Sequence, residues 1–279
     1  SDLQTVAPYS KYAMSFDGDD SISCGNSSNL QFQPTSDSFT LSAWIKIDSL
    51  EGTFISNFMS YREWNTSPYE GYNFGVRTNS GNNVLEFTMY STGAANKFRS
   101  VSNLSYNTWY YVTLAYDYTQ STVANKYKIY LNGVSQTLTN VAVSALPSFT
   151  YASNFRIGAA GSSGVDVASF FDGSISNVSV WNAALTSSQI TEIYNQGLPS
   201  NLNSHSAYSN LVSWWQLGEN SSYVGDWIFA DEKGTNNGDG EDLGVDALTN
   251  GVGTTANGVS NAMGVGALVG DAPYSTANA

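Results

Sequence analysis

Hydrophobic and polar residues alternate in short segments over the first two hundred positions. Residues 39–47 and 84–90 alternate with a period of two, which predicts strands with one buried face. Residues 109–116 are apolar at successive positions, as in a central strand enclosed by two packed sheets. This pattern predicts an all-β chain built from short antiparallel strands.

Two local signals mark a hairpin and a helix. Asn132-Gly133 separates two strand-like runs and predicts a tight hairpin turn, because both central residues of such a turn need positive φ. Thr186 and Gln189 form a capping box, which predicts the start of a helix, and Gly197 predicts its end. We therefore expect one short helix over a β core.

Composition supports the β prediction and excludes some partners. Only 12% of the residues are charged and 14% are aromatic, so Ser, Thr, Asn and Gly keep the chain soluble. The net charge of −13 repels phosphate backbones and anionic lipid headgroups. No stretch is long and apolar enough for a membrane helix, and the first residues lack a signal-peptide pattern. Nucleic acid and membrane insertion are not expected.

Changes in composition along the chain predict four segments. They are an N-terminal lead (1–9), the main β domain (10–197), a linker (198–209) and an acidic, glycine-rich C-terminal extension (210–279). Residues 157–279 hold one lysine against twelve acidic residues. The end of the chain has few core-forming residues, so we expect it to order against a neighbouring subunit, in an oligomer or a larger assembly. The alternative is that it folds back on its own sandwich and covers a sheet face or edge strand.

The order of several sequence blocks resembles a known family, the laminin-G-like, concanavalin-A-like jelly rolls with their pentraxin relatives. The matching blocks are residues 12–22, 39–45, 109–117, 129–133, 155–158, 171–182 and 185–190. The resemblance implies a two-sheet antiparallel jelly-roll sandwich with one short helix, plus the smaller C-terminal extension. It also implies binding to glycans or proteins, although some relatives are glycoside hydrolases.

The second part of the chain carries a further resemblance. Residues 210–240 are similar to the strand and turn that often precede such a jelly roll. Three interpretations of this run are open: it completes the first sandwich, it starts a small appended module, or it marks an architecture that resembles virion-surface proteins of marine bacteriophages. These resemblances imply an extracellular or virion-surface location.

Calcium is the one metal for which the sequence offers a ligand set. Asp17, Asp19 and Asp20 surround a glycine turn, and Ca²⁺ prefers several carboxylate and carbonyl oxygens. The resemblance places Asp172 near the same turn, while the acidic pair of such relatives is replaced here by Ser176-Asn177. The other interpretation is a solvated acidic turn between two strands.

Aromatic residues are concentrated between positions 58 and 72, in a segment rich in polar and turn residues. Tyr61, Trp64, Tyr69 and Tyr72 are therefore predicted to lie on an exposed loop and to contact a glycan or a protein partner. Trp44 and Trp181 are predicted to belong to the packed structure instead.

Catalytic residues are not expected. The only histidine, His205, lies in the predicted linker, and Cys24 has no histidine near it in the sequence. The carboxylates of residues 39–182 are scattered singly rather than paired along one strand, as a glycosidase of this fold would need. We expect a non-enzymatic recognition or structural module. A glycoside hydrolase is the alternative.

Overall fold

The computed structural model describes residues 9–50, 55–62, 69–161 and 167–252. This part of the chain forms one α-helix, α1 (Ser187–Tyr194), and twenty strands. In chain order the strands are β1 (Tyr12–Asp17), β2 (Ser21–Ser23), β3 (Phe39–Ser49), β4 (Ser56–Arg62), β5 (Gly71–Asn79), β6 (Asn82–Ser91), β7 (Ala94–Ser100), β8 (Trp109–Tyr116), β9 (Tyr127–Leu131), β10 (Val134–Ser135), β11 (Leu138–Ala142), β12 (Arg156–Ile157), β13 (Ala160–Gly161), β14 (Val167–Ala168), β15 (Asp172–Trp181), β16 (Leu211–Trp215), β17 (Ser221–Tyr223), β18 (Trp227–Phe229), β19 (Gly238–Glu241) and β20 (Leu248–Asn250).

The strands form two large antiparallel sheets that pack face to face. In the first sheet the order is β10-β9-β8-β3-β15-β1-β20, and β16 also pairs with β15. In the second sheet the order is β11-β7-β6-β5-β4-β12-β2-β19-β18-β17, and β13 and β14 form a separate small hairpin. The predicted all-β sandwich with one short helix is confirmed.

Aromatic side chains fill the space between the two sheets. Phe39 is at the centre of one cluster, with ring centroids 4.7 Å from Phe32, 5.3 Å from Tyr72 and 5.4 Å from Tyr116. These residues come from both sheets and from the loop before β3. Their packing is worth more than the buried area alone, because tilted and stacked aromatic pairs attract each other.

A second hydrophobic cluster covers the outer face of the first sheet. The helix and the segment that follows it pack there around Trp44, Tyr111, Trp181 and Trp214. Trp44 and Trp181 are buried, as predicted. The prediction that residues 39–47 form a half-buried strand is wrong, because this layer also covers the polar-looking face of β3.

The hairpin and the helix form where the sequence predicts them. Asn132 and Gly133 connect β9 and β10 with φ of 51° and 76°. Thr186 accepts a hydrogen bond from the backbone N–H of Gln189, whose side chain accepts one from the Thr186 N–H in return. The helix ends at Tyr194, shortly before Gly197, and Asn195 takes the left-handed conformation at its C-cap.

The predicted boundary between the main domain and the extension is wrong. β16 pairs with β15, β19 with β2 and β20 with β1, so both sheets continue through residues 211–250. Trp215, Trp227 and Phe229 are buried in the same core as Phe39. Backbone hydrogen bonding and core packing both require the two predicted parts to form one unit. The fold-back alternative therefore applies to residues 211–252.

The predicted linker is also packed rather than extended. Leu202, His205 and Ala207 are buried between α1 and the first sheet. At the other end, the Tyr9 ring stacks on Trp214 at 5.9 Å, while residues 1–8 lie outside the described part. Residues 253–279 also lie outside it, so docking of this tail on a partner stays a prediction. Within the described part, no helix is long and apolar enough to span a membrane.

Candidate functional site

Two of the predicted ligand-binding aromatics are core residues. Tyr61 of β4 and Tyr72 of β5 face each other across the strand pair, and neither side chain is exposed. The Tyr72 hydroxyl donates to the Leu30 carbonyl at 2.8 Å, and the Tyr61 hydroxyl donates to Asn26 and accepts from Gln31 Nε2 at 2.9 Å. The prediction that they lie on an exposed loop is wrong, because their rings face the opposite sheet.

Alternation along β5 explains the error. Tyr72, Phe74 and Val76 are buried in the core, whereas the intervening Asn73 and Gly75 belong to the outer face of the sheet. The polar residues that suggested a loop lie before Tyr72: Ser60 and Arg62 flank Tyr61 on β4, and residues 63–68 are outside the described part. Of the other two predicted residues, Tyr69 is partly buried with φ of 59°, and Trp64 lies outside the described residues.

The acidic turn after β1 does assemble a carboxylate cluster. Oxygens of Asp17, Asp19 and Asp20 all lie within 4.8 Å of one another. The turn is held by a 2.9 Å hydrogen bond from the Asp17 N–H to Asp20 Oδ2. Two oxygens on opposite sides of a Ca²⁺ ion lie about 5 Å apart, so this donor set fits a calcium ion.

Asp172 lies beside this cluster without being part of it. It stands opposite Asp17 in the pairing of β15 with β1, as the resemblance implied. Its carboxylate accepts a hydrogen bond from the Ser49 hydroxyl at the end of β3. Asp172 is thus held toward β3, next to the three clustered carboxylates.

Crowding of the three carboxylates changes their protonation. Burial, the largest cause, and the charge of Asp17 together raise the pKa of Asp20 to about 7, against the hydrogen bond from the Asp17 N–H, which lowers it. A shared hydrogen bond lowers the pKa of Asp17 and raises that of Asp19. At neutral pH the cluster therefore retains part of a proton, which a bound cation would displace.

A polar cleft opens at the opposite end of the first sheet. Residues just after β8, just after β15 and before β3 line it. Its volume is about 610 Å³, within the range of small-ligand sites. Its walls come from three segments, 28–38, 117–118 and 182–184, and are formed by Ser28, Asn29, Gln31, Phe32, Ser36, Asp37, Ser38, Asp117, Tyr118, Asn182, Ala183 and Ala184. No sequence pattern predicted this site.

Local hydrogen bonds hold the two carboxylates of the cleft in place. Asp117 accepts from the N–H of Thr119 at 3.1 Å and from Gln120 Nε2 at 2.7 Å. Hydrogen bonding, chiefly from the Thr119 side chain, lowers the pKa of Asp117, so it stays ionised. Asp37 accepts from the N–H of Gln33 at 2.7 Å. Both side chains are therefore fixed acceptors at the mouth of the cleft.

Two amides and one tyrosine complete the polar lining. Asn29 Oδ1 accepts from Asn236 at 3.1 Å, and Asn182 Oδ1 accepts from Asn210 at 3.0 Å. In both bonds the cleft residue uses its amide oxygen as the acceptor. The Nδ2 groups of Asn29 and Asn182 are therefore the donors that can bind a ligand. Tyr118 is one of the few large aromatic side chains exposed in the described residues, at 37%.

The lone histidine has a structural role. His205 Nδ1 accepts from the Ala207 N–H at 3.0 Å, so Nε2 carries the proton and donates to the Gln189 carbonyl at 3.0 Å. Its ring packs against Trp181 with a centroid distance of 4.8 Å. His205 thus fixes the first turn of α1 to the first sheet. Cys24 is buried in the core, and burial raises the pKa of its thiol, which opposes nucleophilic use.

Known proteins share this fold. The solved structures that resemble the chain include a candidate carbohydrate-binding protein from Bacteroides ovatus, at 20% identity and a TM-score of 0.57. That match covers 88% of this chain and 60% of the other, so this chain spans less than two thirds of that protein. A heptameric SAP-like pentraxin from Limulus polyphemus matches at 14% identity and a TM-score of 0.52, covering 88% of this chain and 97% of the pentraxin. At these identities the likeness shows the fold alone.

Sequence comparison identifies the family more directly. No curated protein matches the chain. A family model described as the concanavalin A-like lectin/glucanases superfamily matches residues 16–191, which is more than half of the chain and extends from the end of β1 into α1. The chain therefore belongs to the concanavalin A-like lectin/glucanase superfamily.

Proposed function

We propose that the chain is a non-catalytic carbohydrate-binding module whose ligand occupies the cleft at the end of β8 and β15. The observation that carries the proposal is the combination of Tyr118 with fixed carboxylates and amide donors in one polar cleft. An aromatic ring packs against the apolar face of a sugar ring, while carboxylates accept from sugar hydroxyls and amides donate to them. The resemblance to the B. ovatus protein supports this ligand class.

The electrostatics of the cleft favour binding over hydrolysis. A glycosidase needs a general acid whose pKa is raised toward neutrality. In the cleft, hydrogen bonds lower the pKa of Asp117, and the acids whose pKa is raised, Asp19, Asp20 and Glu219, do not line it. A glycan-binding module must be exposed to its glycan, so we infer an extracellular or virion-surface location. The alternative partner is a protein surface.

Replacing Tyr118 with alanine is expected to weaken glycan binding by at least about tenfold, the equivalent of ~1.4 kcal/mol. The glycan would first be identified on an array and the affinity then measured by calorimetry. Tyr106→Ala is the matched control, since Tyr106 is 44% exposed in the loop before β8, at the other end of that strand. Equal affinity of the Tyr118→Ala and wild-type proteins would rule out this cleft. Oligosaccharide turnover that is lost on Asp117→Asn would establish a hydrolase instead.

We also propose that Asp17, Asp19 and Asp20 hold a calcium ion that stabilises the turn between β1 and β2. An ion that binds only the folded chain raises its melting temperature. Because the pKa of Asp20 is raised to about 7, calcium must displace a proton at lower pH. The rise in melting temperature is therefore expected to be larger at pH 8 than at pH 6. Equal melting temperatures in chelator and in excess calcium at pH 8 would remove the site.

The Asp20→Asn variant tests the same turn without calcium. A folded-state pKa above the unfolded value favours the folded chain at low pH, and this contribution is lost as the pH rises from about 4 through 7. The introduced amide is neutral at every pH, and its oxygen can still accept from the Asp17 N–H. In chelator, the variant is expected to melt about 2–4 °C above wild type at pH 8. A lower melting temperature at pH 8 would contradict the assigned protonation.

A further inference from the structure

One lateral edge of the sandwich differs from the rest of the surface. It is formed by β10, the last strand of the first sheet, and β11, the last strand of the second. The two are consecutive in the chain, and the N–H of Val101, just after β7, donates to the Thr137 carbonyl between them at 3.2 Å. We call this surface the valine edge, after Val101, Val134, Val141 and Val143.

The valine edge carries an unusual share of exposed apolar surface. Its four valines are 59%, 64%, 42% and 48% exposed, and they are half of the large hydrophobic residues exposed in the described part of the chain. They come from β10, from β11 and from the residues beside them. Several exposed apolar residues along one edge mark an interaction site more often than a single one does.

The two edge strands carry no charge of their own; Lys97 and Arg99 of β7 stand opposite Ala142 and Thr139 of β11, and both pair with Glu86. Residues 129–155, which include β10 and β11, contain no Lys, Arg, Asp, Glu or His. Natural sheets usually protect exposed edge strands with charged side chains, most often lysine. β11 is irregular between Asn140 and Ala142, and neither edge strand has a charged residue. A second copy that contacts β10 and β11 through the same strands therefore brings no like charges of those strands together, although each chain carries a net charge of −13.

The opposite edge of the second sheet provides a contrast. Val224, just after β17, is 75% exposed, but it is isolated and followed closely by the exposed Asp226. Two copies meeting there would bring like charges together. The two edges of the second sheet thus differ in both exposed apolar area and charge.

We propose that the valine edge is the contact surface for a second copy of this chain. The two copies face each other about a two-fold axis, so each valine contributes to the interface twice. The interface is apolar, and it extends across the edges of both sheets. None of the residues that line the cleft belongs to the valine edge, so a dimer would present two glycan sites.

Sedimentation velocity of the full chain at increasing concentration tests the proposal. The wild type is expected to form a dimer, and Val141→Lys is expected to weaken it by at least about tenfold, because the two-fold axis brings both introduced charges into one interface. Val134→Lys is a second variant, on β10. Val224→Lys is the matched control, with the same substitution at an exposed valine on the opposite edge, and its dimer should be unaffected.

Salt dependence provides an independent result. Because both copies carry a charge of −13, added salt screens their repulsion and is expected to strengthen an uncharged interface. A contact made of ion pairs would weaken instead. A wild-type chain that stays monomeric at every concentration would overturn the proposal. So would a dimer that survives both Val141→Lys and Val134→Lys, or one that dissociates on Val224→Lys.

Discussion

A chain that ends at Ser209 is expected not to fold, although it contains the whole predicted jelly-roll segment. The truncation removes Trp215, Trp227 and Phe229 from the core, and each is at most 1% exposed. Loss of one such aromatic side chain costs about 3–5 kcal/mol, and typical domains are stable by only about 5–15 kcal/mol. It also removes the strands that pair with β2 and with the second half of β15.

Near-UV circular dichroism and thermal melting would measure the result. The truncated chain should show no fixed aromatic signal and no cooperative transition. A chain that ends at Val252 keeps every described strand, so it is the control and should melt like the full chain. If the chain ending at Ser209 melts cooperatively near the full-length temperature, residues 210–252 are an appendage after all.

Asp231→Ala is expected to destabilise the fold strongly, because the Asp231 carboxylate accepts hydrogen bonds from several backbone N–H groups. Its Oδ1 accepts from the N–H groups of Trp214, Lys233 and Gly234 at 3.0–3.1 Å. Its Oδ2 accepts from the N–H of Asn236 at 3.1 Å. Alanine would leave these donors without their acceptor, two of them in buried residues, at a cost of about 3–5 kcal/mol. One carboxylate thus orders the turn between β18 and β19 and attaches it to β16.

Urea denaturation would measure the change in unfolding free energy. Asp231→Asn should lie between alanine and wild type, because its oxygen can replace Oδ1 while its amide nitrogen would face the Asn236 N–H. Asp239→Ala is the control, since Asp239 is an exposed acid on the adjacent β19 and its loss changes the net charge equally. If the Asp231 and Asp239 variants lose similar stability, the carboxylate does not organise this turn.

Local features of this fold could be predicted from sequence, because their causes are local. The Asn132-Gly133 turn and the Thr186 cap depend on residues within a few positions of each other. Burial of Tyr72 could have been predicted from the alternation along β5, but the polar residues between positions 58 and 72 were interpreted as a loop that ends at Tyr72. The cluster of Asp17, Asp19 and Asp20 was predictable for the same reason as the Asn132-Gly133 turn, because its three carboxylates are close together in the sequence.

Other features depend on contacts between distant segments. Whether residues 211–250 join the sandwich or form an extension depends on which strands they pair with. Their partners β1, β2 and β15 lie in separate, earlier parts of the sequence. The cleft likewise combines side chains from three separated loops, and none of those loops carries a distinctive motif. Periodicity shows that a strand has a buried face, but not which strand lies beside it.

The pairing of β1 with β20 has a consequence for synthesis. Met14 lies opposite Leu248, so β1 receives its second neighbour only after all the residues between the two strands have been translated. Until then the nascent polypeptide exposes an open strand edge, and the long separation of its contacts predicts slow folding. During that interval the growing chain is most vulnerable to aggregation, so chaperones that shield unpaired strands should raise its yield.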